Sequence, residues 1–387
     1  MFLIRRILVS ASLAILSLAT LDGAALAQSF DTKAPYAVLM DYGSGTILFD
    51  KAGEDRMAPA SMGKLMTAEY VFHQLQTHAL SMDDEFTISE NAWRKGGAST
   101  DGSTMFAKLN SRVAVHDLLR GLLVQSGNDA AIAFAEGIAG SEIAFADRLN
   151  QRAKEIGLSH SHFANATGLP DSDEYVTAHD LALLARHIIQ TYPDYYPIFA
   201  EPQFTWNKIT QRNRNPLLSL GVGADGLKTG ATKESGYGLV GSAVANSQRL
   251  IVVVNGLKSM KEREAESRNV LEWGFRSFRQ ITAFKDGETV TDAKVFGGVT
   301  GSVPLQAKGA VTMLIQRSSQ SSLKAQAIYQ GPLKAPVGAG AKVGVLRVTD
   351  GDKVIQETPL FTTEAVAQGS LKDRAISALD QLLLGWL

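Results

Sequence analysis

Cysteine is absent from all 387 residues of the chain. Without thiols, the protein cannot form disulfide bridges, use a thiolate nucleophile or bind a metal through cysteine. Covalent chemistry based on a serine hydroxyl remains open to it.

A strong net charge and metal-ligand spacings are also missing. Lysine and arginine together number 38 against 39 aspartates and glutamates, so no basic field exists to attract nucleic acid. Among the seven histidines, His160 and His162 flank a single serine, and no HExxH motif occurs. We therefore expect no nucleic-acid partner, no metal and no cofactor.

The N-terminus has the order of residues that is typical of a secretory signal peptide. Arg5 and Arg6 precede an apolar run over residues 7–21, and the small-residue sequence Ala25-Leu26-Ala27 follows. We predict a signal peptide over residues 1–27 with cleavage after Ala27, and hence export. A retained membrane anchor is the alternative, although the apolar run is short for a helix that spans a bilayer.

Two domains are predicted for the roughly 360 residues that remain. Residues 28–284 mix helical periodicity with β-rich segments, among them a hairpin with strands over 36–40 and 46–50. Over residues 285–369 the pattern changes to short alternating strands broken by glycine, predicted at 290–295, 310–315, 323–329, 341–349 and 353–361. The sequence thus indicates a first domain with helices and a sheet, followed by a separate small β domain.

Ser61 and Lys64 stand at the start of a predicted amphipathic helix, which places both side chains on one face. A serine hydroxyl is a poor nucleophile at neutral pH, and a lysine held neutral one turn away can act as its base. The free N–H groups of a helix N-terminus can stabilise an oxyanion. The motif alone favours a capping serine followed by a solvated lysine, so the case depends on the rest of the chain.

A second candidate pair, Ser126 and Asn128, lies on a short break between helices predicted over 115–124 and 130–138. Such a break can direct side chains into a cleft, where Ser126 could relay a proton and Asn128 could form hydrogen bonds. An ordinary turn is the alternative.

Lys228, Thr229 and Gly230 precede two β-rich segments, 237–245 and 249–256, which we interpret as part of the sheet. At a strand edge, Lys228 could bring positive charge to an anionic substrate and Thr229 could hydrogen-bond to it. Gly230 would let the backbone approach closely. A solvated edge lysine is the alternative.

Three further stretches accompany these motifs. Residues 95–104 are predicted to form a loop near the site, and residues 262–281 a long helix that carries Arg263. Thr177 and Asp180 are predicted to form a capping box at the start of another helix, which makes Asp180 a structural residue. Arg263 taken alone fits an ordinary surface charge.

Taken together, the SxxK, Ser-x-Asn and Lys-Thr-Gly motifs resemble those of the low-molecular-mass penicillin-binding proteins that act as D-alanyl-D-alanine carboxypeptidases. The resemblance extends over essentially the whole chain after the signal peptide, through stretches such as 102–106, 168–171 and 263–267. It implies an α/β (α+β) catalytic domain of the β-lactamase/transpeptidase-like fold with a five-stranded antiparallel sheet. A small C-terminal all-β domain and a terminal amphipathic helix would follow.

The resemblance also implies roles in covalent chemistry. Ser61 would be the acylated nucleophile and Lys64 its general base, while Ser126 would relay a proton toward the leaving D-alanine nitrogen. Lys228 would lie close to Ser126 and Lys64, and its charge, together with desolvation, would lower the proton affinity of Lys64.

Substrate-binding roles are implied in the same way. Asn128 would hold the substrate amide, and Thr229 and Arg263 would bind the terminal carboxylate. The oxyanion hole would consist of the backbone N–H groups of Ser61 and Ala231, next to Gly230. Some relatives have histidine in place of Ala231, so we expect an altered substrate preference or deacylation rate without loss of activity.

The implied substrate is the peptidoglycan stem pentapeptide, with β-lactam antibiotics as inhibitors. One alternative is a class A β-lactamase, which needs an activating glutamate, whereas the 165–176 loop contains Glu174 without that family's neighbouring residues. A second alternative is a non-catalytic peptidoglycan-binding protein, which would be expected to have lost some of the motif residues.

Residues 370–387 are predicted to form an amphipathic helix. Its apolar arc consists of Leu371, Ala375, Ala378, Leu379, Leu382, Leu383 and Trp386. The segment is too short and too charged to span a bilayer, so it either lies in the membrane interface or packs on protein. We predict that it is a peripheral anchor that holds the enzyme on the periplasmic face of the cytoplasmic membrane.

Overall fold

A computed structural model describes residues 30–317 and 323–384, so the predicted signal peptide and Trp386 lie outside the described residues. The helices are α1 (Lys64–Gln76), α2 (Glu90–Gly96), α3 (Val115–Leu123), α4 (Asn128–Ala139), α5 (Glu142–Glu155), α6 (Ala178–Thr191), α7 (Met260–Ser277) and α8 (Leu371–Leu384). The strands of the first domain are β1 (Tyr36–Asp41), β2 (Ile47–Lys51), β3 (Glu85–Thr87), β4 (Arg112–Ala114), β5 (Gln203–Trp206), β6 (Ile209–Arg212), β7 (Ala224–Thr232), β8 (Gly236–Ala245) and β9 (Gln248–Leu257). Those that follow are β10 (Phe278–Phe284), β11 (Thr289–Phe296), β12 (Ser302–Gln306), β13 (Val311–Gln316), β14 (Leu323–Tyr329), β15 (Leu333–Lys334), β16 (Lys342–Asp350) and β17 (Lys353–Thr362).

A five-stranded antiparallel sheet in the order β2-β1-β9-β8-β7 forms the centre of the first domain. The hairpin β1–β2 confirms the prediction for residues 36–50, and the sheet is the one that the resemblance implies. Strand β7, which contains Lys228, Thr229 and Gly230, lies at an edge and pairs only with β8 among the described strands. One side of this strand is therefore free to face a ligand.

Helices cover both faces of the sheet. Val38 and Met40 of β1 belong to the large core shared with α1, α3, α4 and α6. Leu39 points to the opposite face, where α7 approaches so closely that a Cβ on Gly274 would lie 2.5 Å from Leu39. Because successive side chains of a strand alternate between faces and both faces are covered, residues 37–40 of β1 are all apolar.

Local sequence signals account for several helix boundaries. The hydroxyl of Thr177 accepts a hydrogen bond from the backbone N–H of Asp180, as the predicted capping box requires. The carboxylate of Asp180 accepts from His160 and Ser161 instead of closing the box, and it thereby joins α6 to the preceding loop. The predicted helix over 262–281 was too long at its C-terminal end: α7 ends at Ser277 and the chain continues as β10.

The C-terminal strands form a six-stranded sheet, β14-β16-β17-β12-β11-β15, and a two-stranded sheet, β10-β13. Their buried residues make a core that is separate from that of the first domain. Periodicity missed β12 and the two-residue β15. Because β10 pairs with β13, residues 278–284 join the β domain through strand pairing, which favours a domain boundary near Ser277.

Helix α8 lies beside β11 with its polar side inward. The hydroxyl of Ser377 accepts a hydrogen bond from the backbone N–H of Gly297, and Arg374 packs near the same glycine. Leu371, Leu379 and Leu382 on the apolar side are exposed. Within residues 30–317 and 323–384, no helix combines the length and apolarity that crossing a membrane requires.

Candidate active site

Ser61 and Lys64 meet at the junction of a tight 3-10 turn, Ala60–Gly63, and helix α1. The Lys64 Nζ donates to Ser61 Oγ over 3.0 Å. It also donates to Asn128 Oδ1 and to the carbonyl oxygen of Thr167, each over 2.7 Å. The lysine is fully buried, which rules out the alternative of a solvated lysine behind a capping serine.

The environment of Lys64 favours a neutral amine. Burial, followed by the positive charge of Arg214, lowers the pKa of Lys64 to about 7, against the raising effects of Asp129 and Glu174. Arg214 is a positive charge near Lys64 that the sequence analysis did not identify, and the interaction of Lys64 with Lys228 lowers the pKa of Lys228. A lysine that is neutral in a large fraction of molecules near neutral pH can accept the proton of Ser61.

Ser126 lies in the break between α3 and α4 with a left-handed backbone, φ 63°. Its Oγ accepts a hydrogen bond of 2.9 Å from Lys228 Nζ, which reaches across from β7. Burial and the nearby charges of Lys64, Arg214 and Arg263 hold the pKa of Lys228 well below its usual value. The break thus brings the second serine to a second buried lysine.

Gly230 allows β7 to approach the turn that carries Ser61. A Cβ at this position would lie 2.9 Å from the carbonyl oxygen of Pro59 and 3.1 Å from the Cβ of Ala60. The sequence predicted a close approach of the backbone at Gly230. The structure shows that this approach is to Pro59 and Ala60 of the same chain. It brings Thr229, Gly230 and Ala231 to the turn that carries Ser61, and Ala231 is exposed there.

A cavity of about 230 Å³ opens above these groups. It is lined by Ser61, Ser103, Ser126, Arg214, Thr229, Gly230, Ala231, Tyr237, Met260 and Arg263. Larger cavities, of about 360, 690, 410 and 400 Å³, lie elsewhere among the described residues, and neither Ser61 nor Lys64 lines any of these four.

Arg263 points into this cavity from the first turns of α7 and is nearly buried, 6.0 Å from the centre of the Tyr237 ring. Its Nε has no hydrogen-bond partner among the described residues. A buried donor without a partner is costly, so the guanidinium is suited to an anionic group that enters the cavity. Arg214 adds a second positive charge to the same wall.

Comparison with known proteins identifies the family. Residues 23–259 match the D-alanyl-D-alanine carboxypeptidase family, and residues 278–368 match the C-terminal domain of penicillin-binding protein 5. The chain belongs to the D-alanyl-D-alanine carboxypeptidase family. Its carboxypeptidase function in cell-wall peptidoglycan and its penicillin-binding fold follow from this membership.

Relatives of the carboxypeptidase family cover nearly the full chain. D-alanyl-D-alanine carboxypeptidase DacD of Salmonella typhimurium is 37% identical over 382 residues, which are 97% of this chain and 98% of that protein. DacA of Haemophilus influenzae is 40% identical over 321 residues, 82% and 81% of the two chains. The crystal structure of penicillin-binding protein 5 from Haemophilus influenzae matches with a TM-score of 0.80 at 37% identity, covering 88% of this chain and 99% of that one.

Several residues of this carboxypeptidase site were missed by sequence reasoning. The carbonyl of Thr167 holds Lys64, and Arg214, Ser103 and Tyr237 line the cavity. The buried carboxylate of Asp129 accepts hydrogen bonds from Thr104, Met105, Ala107 and Ala130, which ties the predicted loop to α4. Asp129 and Ser103 did carry sequence signals, since Asp129 follows the Ser-x-Asn motif directly and Ser103 lies in the loop predicted near the site.

Across the described ranges, no three His, Asp or Glu side chains converge on a point that could hold a metal ion. The basic groups at the site are instead Arg214 and Arg263, which line the cavity, and the buried Lys64 and Lys228, which hydrogen-bond to Ser61 and Ser126. This arrangement suits a substrate with a free carboxylate.

Proposed function

We propose that the protein is a serine-type D-Ala-D-Ala carboxypeptidase that forms an acyl-enzyme on Ser61. The observation that carries the proposal is the 3.0 Å contact between Ser61 Oγ and a fully buried Lys64 whose pKa burial lowers to about 7. Lys64 takes the proton of Ser61 as the hydroxyl oxygen attacks the carbonyl of the penultimate D-alanine.

Acylation breaks the terminal peptide bond and releases D-alanine. Ser126, held by its hydrogen bond to Lys228, delivers its hydroxyl proton to the leaving nitrogen and is reprotonated with the proton that Lys64 took from Ser61, so Lys64 is again neutral. Water then cleaves the ester, restores Ser61 and leaves the shortened peptide. The backbone N–H groups of Ser61 and Ala231 stabilise the oxyanion in both steps.

Substrate recognition is proposed to use the groups around the same cavity. Thr229 and Arg263 bind the terminal carboxylate, beside the close passage at Gly230. Asn128 holds the substrate amide through its side-chain nitrogen, because its Oδ1 already accepts from Lys64. The substrate is the stem pentapeptide of peptidoglycan, and β-lactams are inhibitors that acylate Ser61 in its place.

Mass spectrometry after brief treatment with penicillin tests the covalent step. We expect one adduct, on the peptide that contains Ser61, and loss of this adduct in Ser61→Ala. Incubation with a peptide ending in D-Ala-D-Ala should release one D-alanine per peptide, and penicillin should block the release. An adduct on another residue, or one that persists in Ser61→Ala, would refute the assignment.

A class A β-lactamase is disfavoured by the position of Glu174. Its Oε1 is buried, and the residue does not line the cavity that contains Ser61. A glutamate that activates hydrolytic water has to hold that water beside the acyl group, whereas one oxygen of Glu174 is bound to the backbone of Ala164 and Asn165 and the other faces Gly63. Rapid turnover of penicillin by the native enzyme would instead favour a β-lactamase.

We propose that the exported enzyme comprises a signal peptide (1–27), a catalytic domain that ends near Ser277 rather than at residue 284, a β-rich domain from there to residue 369, and an anchor helix (370–387). The exposed Leu371, Leu379 and Leu382 and the inward polar side of α8 support attachment to the membrane interface on the periplasmic face. The β domain would then act as a stalk toward the peptidoglycan.

Deleting residues 370–387 tests the anchor. We expect the truncated enzyme to leave the membrane fraction and to keep its activity on small peptides. High salt should release little of the intact enzyme, because apolar burial rather than charge attraction holds it. A truncated protein that still sediments with membranes would contradict the anchor.

A further inference from the structure

The side chain of Glu174 is a buried carboxylate close to the Ser61–Lys64 pair, and the proposed mechanism gives it no role. Its Oε2 accepts hydrogen bonds from the backbone N–H groups of Ala164, over 2.5 Å, and Asn165, over 3.3 Å. Its Oε1 has no donor among the described residues and faces Gly63, where a Cβ would lie 3.2 Å away. The carboxylate thus lies between the 164–168 loop and the turn that carries Ser61.

The same loop supplies an acceptor to the base. The carbonyl oxygen of Thr167 accepts from Lys64 Nζ, and the carbonyl oxygen of Ala166 accepts from Thr67 in the next turn of α1. Gly168 passes very close to Ala60: a Cβ added to Gly168 would lie 1.9 Å from the carbonyl oxygen of Ala60. A movement of the loop would therefore displace both the base and the nucleophile turn.

We propose that Glu174 is a positioning residue for the carboxypeptidase reaction, bracing the 164–168 loop against the Ser61 turn and thereby fixing the acceptor that holds the Lys64 amine. It is not assigned a catalytic role, because one of its oxygens accepts from the backbone of Ala164 and Asn165 and the other, which faces Gly63, makes no hydrogen bond to Ser61 or Lys64. The inference rests on the proposed roles of Ser61 and Lys64.

Electrostatics couples the two side chains. Burial raises the pKa of Glu174 to about 7, against the lowering effect of its backbone hydrogen bonds, with Asp171 adding to the rise. The pKa of Lys64 is also about 7: burial and Arg214 lower it, Asp129 and Glu174 raise it, and Lys64 interacts electrostatically with Lys228 as well. Both groups therefore change charge in the same pH range, and each affects the other.

The charge of Glu174 determines the direction in which the pKa of Lys64 moves. A Glu174 carboxylate raises the pKa of Lys64, so removing its charge should leave Lys64 neutral at lower pH. Acylation needs the neutral amine. The acid limb of the acylation rate, the range in which the rate rises as Lys64 loses its proton, should therefore move toward acid in Glu174→Gln.

The experiment measures the rate of penicillin acylation at Ser61 against pH in the full-length enzyme. For Glu174→Gln, whose amide oxygen can still accept from Ala164, we expect the acid limb to shift by about 0.5 to 1 pH unit toward acid with a similar limiting rate. Glu174→Ala removes the brace as well, and its limiting rate should fall by about tenfold or more. Glu174→Asp keeps the charge at shorter reach, so its acid limb should stay near that of the native enzyme while its limiting rate falls.

Asp180→Asn is the matched control. Asp180 is also a buried carboxylate that holds a neighbouring loop, through His160 and Ser161, yet it does not act on the pKa of Lys64. Its acid limb should be unchanged. An acid limb that moves as far in Asp180→Asn as in Glu174→Gln would overturn the inference.

The possible results distinguish a failure of the Glu174 proposal from a failure of the proposed role of Lys64. If the native enzyme acylates at Ser61 with an acid limb near neutral pH and Glu174→Gln does not shift it, the inference about Glu174 fails and the mechanism stands. If the native enzyme shows no such acid limb, the proposed role of Lys64 as the base is refuted. The proposal for Glu174 depends on that role and is then refuted as well. If the glutamine variant does not fold, a native limiting rate in Glu174→Asp overturns the bracing role.

Discussion

At the scale of single residues, the site gains its chemistry from burial of groups that water would otherwise keep charged. Lys64, Lys228 and Arg263 lie within one small region, and burial is the first cause that lowers the pKa of each. Clustered cations disfavour one another's charge, which keeps a basic amine available and leaves an anion-binding wall.

The carboxylate role of Arg263 makes a direct prediction. Arg263→Gln should weaken capture of peptides with a free terminal carboxylate by about 2 kcal/mol, roughly a thirtyfold loss in kcat/KM, the scale of a charge-assisted hydrogen bond. Peptides with an amidated C-terminus supply the control, since the native enzyme and the variant should handle them alike. Equal losses for both peptides would refute the role.

The contact between Gly230 and the nucleophile turn makes a second prediction. In Gly230→Ala the added Cβ must displace the carbonyl of Pro59 or the strand itself, so the penicillin acylation rate should fall by about tenfold or more. Gly43→Ala is the matched control, because the nearest atom to its Cβ would be a carboxylate oxygen at 3.7 Å. An unchanged acylation rate in Gly230→Ala would show that the turn tolerates the shift.

At the scale of elements, α1 is held in place by a buried network behind the site. Glu69 of α1 is fully buried and accepts hydrogen bonds from Arg152 of α5 and Tyr192, and it contacts His187 of α6. Burial opposes its ionisation, but these hydrogen bonds outweigh that effect and lower the pKa of Glu69. The network therefore joins the helix that carries Lys64 to two others.

Breaking this network should destabilise the fold. Arg152→Met leaves the Glu69 carboxylate without its main partner and should cost about 3–5 kcal/mol of unfolding free energy, measured by urea denaturation at neutral pH. Because the folded-state pKa of Glu69 is lowered, its contribution is present above the unfolded pKa and is lost as pH falls through the folded pKa. The difference between native enzyme and variant should therefore shrink in acid.

Tyr192→Phe is the milder comparison for the same network. It deletes one hydroxyl that donates to Glu69 over 2.8 Å and should cost about 1 kcal/mol. A loss in Arg152→Met no larger than this would mean that water or His187 compensates the buried carboxylate.

At the scale of the whole molecule, the two separate cores predict two unfolding transitions. Penicillin bound to Ser61 should raise the midpoint of only one transition in calorimetry, because the acyl group stabilises only the domain that holds it. Leu305→Ala, in the β-domain core, should lower the other midpoint through a loss of about 2–5 kcal/mol. Leu119→Ala in the catalytic core should lower the penicillin-sensitive midpoint. A single transition that both variants shift together would show that the domains unfold as one unit.

The spacing of residues along the chain was enough to predict the type of reaction and the residues proposed to take part in it. Spacing marked Ser61 with Lys64 and Ser126 with Asn128, because a helix and a helix break place such neighbours predictably. Period-two patterns marked five of the C-terminal strands but missed β12 and β15, where the alternating run is too short to stand out. The end of α7 was misplaced because β10 continues the apolar pattern of the helix, and strand pairing with β13 overrides it.

Tertiary structure alone decided how these parts act together. Arg214, Thr167 and Glu174 reach the site from loops remote in sequence, and none of them has a spacing that relates it to Ser61. A lysine becomes a base through desolvation and the charges around it, and both depend on which distant segments pack against it. Motifs therefore predicted Ser61 as the nucleophile and Lys64 as its base, whereas packing sets the pKa of Lys64 near neutrality.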